Sequence, residues 1–155
     1  MNGRKIINNK ITLSGLAGSG KSTVGKLLAE KLNSKFYSAG NISRDFAYKK
    51  YNMTINKFQI LCDKDSSIDK GLDEEFRTFG KLHSKFIMDY RLGFHFIDNS
   101  FNIFLAVSNE EAINRVYKEK RKGLLNSTYN QISELINTRN YKMRQRFLKL
   151  FYRYK

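Results

Sequence analysis

The feature that most constrains this chain is the run Gly15-Leu16-Ala17-Gly18-Ser19-Gly20-Lys21-Ser22, a complete G-x-x-x-x-G-K-[ST] phosphate-loop pattern. Such a loop needs a strand before it and a helix after it. Its backbone N–H groups must turn inward around an anion while the helix N-terminus adds its positive end. Both neighbours are present. Ile11-Thr12-Leu13-Ser14 is a β-prone run, and Val24, Leu27, Leu28 and Leu32 recur at helical spacing over 23–32, with Lys26, Glu30 and Lys31 pointing away. Lys21 is placed to reach β- and γ-phosphate oxygens, and the Ser22 hydroxyl to ligate Mg²⁺. The pattern implies nucleoside triphosphate binding and leaves the reaction open.

Outward from the loop, strands alternate with helices. Lys35-Phe36-Tyr37 reads as a short second strand closed by a Ser38-Ala39-Gly40 turn. Helices are predicted over 42–51, over 54–62 with Thr54 as N-cap, and on a segment carrying Leu72, Phe76 and Phe79 that runs to about His83. Phe86-Ile87-Met88 reads as a buried strand ending at Asp89, and 103–107 as another. Ser108 and Glu111 form a capping box before a helix with Ala112, Ile113 and Val116. From Thr128 the tail is helical, with Ile132, Leu135 and Ile136 on one face and Met143, Phe147, Leu150 and Phe151 further along. This order predicts a three-layer α/β/α P-loop NTPase fold with a mostly parallel sheet and ligands at the carboxyl ends of its strands.

The 155 residues suit one domain, and 12 Phe with 9 Tyr supply a real core. One cysteine, Cys62, excludes an internal disulfide framework. No apolar stretch approaches membrane-spanning length, so a cytoplasmic protein with no membrane partner is expected. A net charge of +15 favours anionic partners, nucleotides and nucleic acid among them. Part of that excess follows from a composition rich in Lys, Asn and Ile and devoid of Pro and Trp.

Several charged residues outside the loop are candidates for chemistry. Asp89, ending a hydrophobic strand, is placed to hold Mg²⁺. Arg91 lies two residues later, where a cation could face the transferring phosphoryl group. Arg44 could bind a second phosphate as a fork. Arg139, Lys142 and Arg146 share roughly one face of the tail helix and could clamp phosphates or form a solvated basic face; Arg115 carries the same two readings. His83 and His95 have no partners at metal-ligand spacing and are read as structural.

With these residues in place, the chain resembles the short, archaeal-type form of the cytidylate kinase family of nucleoside monophosphate kinases. Four segments carry the resemblance: 11–26 with the loop; Phe36-Tyr37-Ser38-Ala39-Gly40-Asn41-Ile42-Ser43-Arg44; Asp63-Lys64-Asp65-Ser66-Ser67-Ile68-Asp69 with Leu72-Asp73; and 86–93. Residues 103–115 are also similar to the strand and helix that precede the family's lid.

The resemblance implies phosphoryl transfer from ATP to CMP or dCMP, with Mg²⁺, by a monomer of one kinase domain. Its core would be about 10–38 and 85–122, its monophosphate-binding region about 39–84, and its lid with the C-terminal helix about 123–155. By the same resemblance, residues 15–22 and Thr23 would hold ATP phosphates. Ser38, Gly40, Arg44, Arg91 and Arg115 would serve the acceptor, and Lys21, Arg91, Arg139 and Arg146 the transfer, with Ser22 and Asp89 at the metal. Three departures accompany it. Tyr90 stands where the family has glycine, which predicts a ring beside the phosphates; Asn41 replaces an acidic residue; and the family's last strand and last helix are expected to be missing after Lys155. Two other readings stay open: another nucleotide or small-molecule kinase, and a nucleotide- or nucleic-acid-binding protein without transfer activity.

Overall fold

Phe86, Ile87 and Met88 are each at most 1% exposed, as a strand covered on both faces requires. In the computed structural model, which describes residues 9–119 and 124–152, these residues lie in a central strand of a four-stranded sheet. The elements are β1 (Lys10–Gly15), α1 (Lys21–Lys31), β2 (Phe36–Ser38), α2 (Ala39–Tyr51), α3 (Ile55–Lys64), α4 (Ser66–Leu82), β3 (Phe86–Asp89), α5 (Gly93–Phe96), β4 (Phe101–Leu105), α6 (Asn109–Lys118) and α7 (Tyr129–Tyr152). Sheet order is β2-β3-β1-β4, and β1 and β2 each pair with β3 in parallel. The α/β fold expected from the alternation of strands and helices is the one observed. No helix among the described residues is long and apolar enough to cross a membrane.

Contacts group the chain into two units. The first holds the described residues to Ser14 together with Lys21–Phe104. Leu13, Ala29 and Ile87 form its buried nucleus, with Ile11, Val24, Leu28, Phe36 and Ile103 packed on them. Helix α1 buries only part of the face its apolar residues suggested, Val24 and Leu28. Leu27 and Leu32 are 54% and 47% exposed, while Gly25 and Ala29 are buried. The reason is close approach: a Cβ on Gly25 would stand 2.3 Å from the Phe36 ring, so small residues set the seam. Helix α2 starts directly at Ala39, with Ser38 as N-cap, so the expected turn at 38–40 is the first turn of a helix. Thr54 is the N-cap of α3, without a side-chain cap bond. Asp65 separates α3 from α4 by accepting from Ser67 N at 2.8 Å. Helix α5 had no periodic signal to announce it, and β4 begins two residues earlier than the pattern placed it.

The second unit holds Gly15–Gly20 and the residues from Leu105 onward. Ala17, Ile113, Val116, Ile132 and Ile136 form its core, with Leu124 against them. Half of the capping box is seen: Ser108 Oγ accepts from Glu111 N at 3.2 Å, while the Glu111 carboxylate takes Arg115. A second box opens α7, where Thr128 N donates to Gln131 Oε1 at 2.8 Å and Gln131 N to Thr128 Oγ1 at 3.3 Å. Leu135 is 37% exposed rather than sharing the buried face of Ile132 and Ile136. The expected lid boundary near 122–123 lies outside the described residues, as do the side chains of Leu150 and Phe151.

Candidate active site

Strand register brings the first group of site residues together. Leu13 of β1 and Ser38 of β2 both lie opposite Asp89 at the carboxyl end of β3. Ser22 Oγ, in the first turn of α1, donates to Asp89 Oδ2 at 2.7 Å. Hydroxyl and carboxylate are the hard oxygen donors that Mg²⁺ takes, so the pair fits that cation. Among the described residues no group of three or more His, Cys, Asp or Glu could hold a metal ion. A cation at Ser22 and Asp89 would therefore draw further ligands from phosphate and water. Lys21, at the same helix start, is only 8% exposed.

Arg91 follows Asp89 in a turn fixed from below. Ser14 Oγ lies 3.1 Å from Arg91 O, and Tyr90 N donates to Leu13 O at 3.1 Å. On the β2 side, the point where a Cβ of Gly40 would sit is 3.5 Å from Ser38 Oγ and 3.6 Å from Arg44 Nη1. The Ser38 hydroxyl and the Arg44 guanidinium thus converge over Gly40, and Arg44 donates to Asn41 Oδ1. Asn41 is neutral where a carboxylate would neutralise the guanidinium, so Arg44 keeps its charge for an anion.

The Tyr90 ring is packed on other rings. It is 7% exposed and stacks on Phe76 at 4.1 Å with an interplanar angle of 22°, with Phe96 beyond it at 6.0 Å. The aromatic faces of α4 and α5 offer an apolar slot that the ring fills. His95, near this slot, has its pKa pushed below the usual imidazole value, first by burial and then by the Arg77 charge. His83 stacks on Phe79 at 4.0 Å, and its Nδ1 lies 2.9 Å from Phe79 O, in keeping with a structural role.

The second unit presents the loop itself. Gly18 has φ +80°, and a Cβ there would meet Ala112 Cβ and O at 2.8 Å. Only glycine lets the loop turn left-handed while lying directly on α6. Ser19 N donates to Leu16 O at 3.3 Å, and Ala17 N to Asn140 Oδ1 of α7 at 2.9 Å. Arg115 Nη1 is 3.9 Å from where a Cβ of Gly20 would be, and Arg115 Nε donates to Glu111 Oε1 at 2.7 Å. Its guanidinium therefore stands beside the loop, with a carboxylate holding its inner edge. Arg139 is exposed and Arg146 half-buried on α7, seven residues and about 10 Å of helix rise apart.

Sequence reasoning passed over Asn140. A signal existed: asparagine is a weak helix former, and α7 carries two mid-helix asparagines that use their side chains. Asn137 Oδ1 accepts from Asn109 Nδ2 at 3.0 Å, and Asn140 accepts from the loop.

The sequence profile described as AAA domain matches residues 11–134. The chain belongs to the AAA domain family. Within that family it is a P-loop protein of the nucleotide and small-molecule kinase kind, a group that uses ATP. A cytidylate kinase of Archaeoglobus fulgidus is 33% identical over 116 residues, covering 74% of this chain and 64% of that one. A protein of Lacinutrix mariniflava named S-adenosylmethionine-dependent nucleotide dehydratase is 47% identical over 141 residues, covering 91% of this chain and 29% of that one. This AAA-domain chain thus spans less than two thirds of either curated relative. In fold it is similar to shikimate kinase from Bacteroides thetaiotaomicron, with TM-score 0.55, 20% identity, and coverage of 86% of this chain and 78% of that one.

Proposed function

We propose that this AAA-domain protein transfers the γ-phosphoryl group of ATP to CMP or dCMP, giving ADP and CDP or dCDP. The observation that carries the reading is the strand-end register. Ser38 lies opposite Asp89, and Asp89 accepts from Ser22, so the acceptor-type segment Ser38–Arg44 adjoins the metal-type oxygen pair. The similarity to a cytidylate kinase supports the same choice of acceptor.

In this reading an oxygen of the acceptor phosphate forms a bond to the γ-phosphorus of ATP, the bond to the β–γ bridging oxygen breaks, and ADP leaves. An ionised acceptor phosphate needs no base, so positioning and charge neutralisation supply the catalysis. Arg44 and the Ser38 hydroxyl hold the acceptor phosphate, and Arg91 neutralises it near the transfer point. Lys21 and the amides of residues 15–23, other than the Ala17 amide that Asn140 takes, hold the triphosphate, and Arg115, Arg139 and Arg146 offer further cations. Mg²⁺, held by Ser22 and Asp89, would neutralise charge on the β- and γ-oxygens.

The test is ADP release with Mg-ATP and CMP, dCMP, UMP, AMP or shikimate offered singly. Turnover confined to the cytidine nucleotides is expected. Turnover with another acceptor alone, or with none, overturns the reading.

The dehydratase relative favours a companion reading. The segment aligned with this chain is 29% of that protein's length, and in this chain it includes the phosphate loop. We infer that this chain supplies phosphorylated nucleotide and carries out no nucleotide dehydration itself. This chain incubated with S-adenosylmethionine and a nucleotide should then yield no dehydrated product by mass spectrometry; such a product would place the dehydration here.

A further inference from the structure

The phosphate loop is held by more than its own glycines. Ala17 is 7% exposed, with its methyl group in a core built from Ile113 and Val116 of α6 and Ile132 and Ile136 of α7. Its N–H, one of the amides of the loop, donates at 2.9 Å to the side-chain oxygen of Asn140 on α7. The next residue, Gly18, lies against Ala112 with no room for a side chain. The first half of the loop is therefore seated on two helices by one methyl group, one glycine contact and one directed hydrogen bond. This bond and the one from Ser19 N to Leu16 O, on the two ends of the same peptide, fix the rotation of that plane, because apolar contacts are non-directional.

We propose that Asn140 is a positioning residue for the triphosphate site: by accepting from Ala17 N–H it orients the loop's peptide planes for phosphate and ties α7 to the loop. This rests on reading the loop as the ATP site, but not on the identity of the acceptor. Three features make the tie consequential. A loop amide that rotates away from the phosphates contributes nothing to binding them, so its orientation has to be set before the ligand arrives. Asn140 is neutral, so it can accept this bond without bringing negative charge to an anion site. It also adjoins Arg139 and shares α7 with Arg146, so the contact that orients the loop also fixes the segment bearing those two cations. Asn137 reinforces the arrangement by accepting from Asn109 Nδ2 at 3.0 Å, which holds α7 to α6 three residues earlier.

The test measures binding of a non-hydrolysable ATP analogue with Mg²⁺ by calorimetry, alongside thermal unfolding. It uses the whole chain and needs no acceptor, so a failure of the CMP reading would not touch it. Asn140→Ala removes the acceptor and should weaken analogue binding about fivefold to tenfold, the equivalent of one ordinary hydrogen bond. Asn140→Asp keeps an acceptor for Ala17 N–H but adds a charge beside the loop. It should fold like the parent and yet bind the analogue more weakly, with the deficit shrinking as salt is raised. A merely structural asparagine predicts the reverse: a lower melting temperature in Asn140→Ala with affinity intact, and an Asn140→Asp variant that binds as the parent does. Either of those results overturns the proposal. Should Asn140→Ala fail to fold, the salt-dependent loss in Asn140→Asp decides alone.

Discussion

Replacing Tyr90 by glycine, the residue that cytidylate kinases resembling this chain have there, separates two views of the ring. If the ring is core, as its 7% exposure and its 4.1 Å stack on Phe76 indicate, the variant loses stability. Deleting a buried aromatic side chain costs about 3–5 kcal/mol, since the cavity closes only in part. The lost ring pairing adds about 1 kcal/mol. The freed glycine backbone adds about 0.5–1 kcal/mol in the unfolded chain. The sum is roughly 4.5–7 kcal/mol against a typical total of about 5–15 kcal/mol. For a chain of this size that corresponds to a fall of about 10–25 °C in Tm. Tyr90→Phe keeps the stack and should cost under about 1.5 kcal/mol. Circular dichroism melts of the three proteins give the stabilities, and the KM for the acceptor, measured below the lowered Tm, gives the functional effect. A Tyr90→Gly variant that melts like the parent while its acceptor KM changes several-fold would refute the core assignment, because it would put the ring beside the substrate.

Three further outcomes follow from the same geometry. Lys21→Ala should lower phosphoryl transfer by about 10²–10³-fold with Tm almost unchanged, read in the ADP-release assay, because the ammonium serves the phosphates rather than the core. Asn41→Asp sets a carboxylate against Arg44 and should raise the acceptor KM several-fold at low salt, less so at high salt, with the KM for ATP unmoved. His95 should make the fold acid-sensitive. Burial and Arg77 lower its folded pKa below the usual 6.5, so the unfolded chain binds the proton first as pH falls. Its contribution is whole above pH 6.5 and is lost as pH drops through 6.5 and on to the lowered folded value. Urea unfolding at pH 7.5 and 5 should show that loss in the parent and a smaller one in His95→Gln, and equal losses would reject the assignment.

Much of the site was legible because it is local. The loop pattern, the strand before it and the helix after it sit within about two dozen consecutive residues, and a phosphate cradle needs nothing more distant to be recognised. The Ser108–Glu111 capping box was equally plain, since caps are contacts of adjacent turns. What failed was also local reading, applied where packing decides. The leucine stripe of α1 pointed to Leu27 and Leu32, but the seam goes to Gly25 and Ala29, whose value is smallness against Phe36. No hydrophobicity pattern registers smallness. Helix α5, four residues long, is too short for a period to show.

The sequence by itself determined the donor side: a phosphate loop at 15–22, its strand and helix, an acid at the end of β3, and the alternation of strands with helices that makes a parallel sheet. Each rests on residues close in the chain or on a run of apolar positions, which local physics is enough to fix. Only the tertiary structure decided that Ser38 stands opposite Asp89, that Ser22 bonds the Asp89 carboxylate across 67 positions of sequence, that the Tyr90 ring stacks on Phe76, and that Asn140 takes a loop amide 123 residues away. Register, ring placement and long-range hydrogen bonds depend on which surfaces meet. That is settled by the packing of the chain's elements against one another, and no window along the sequence contains it.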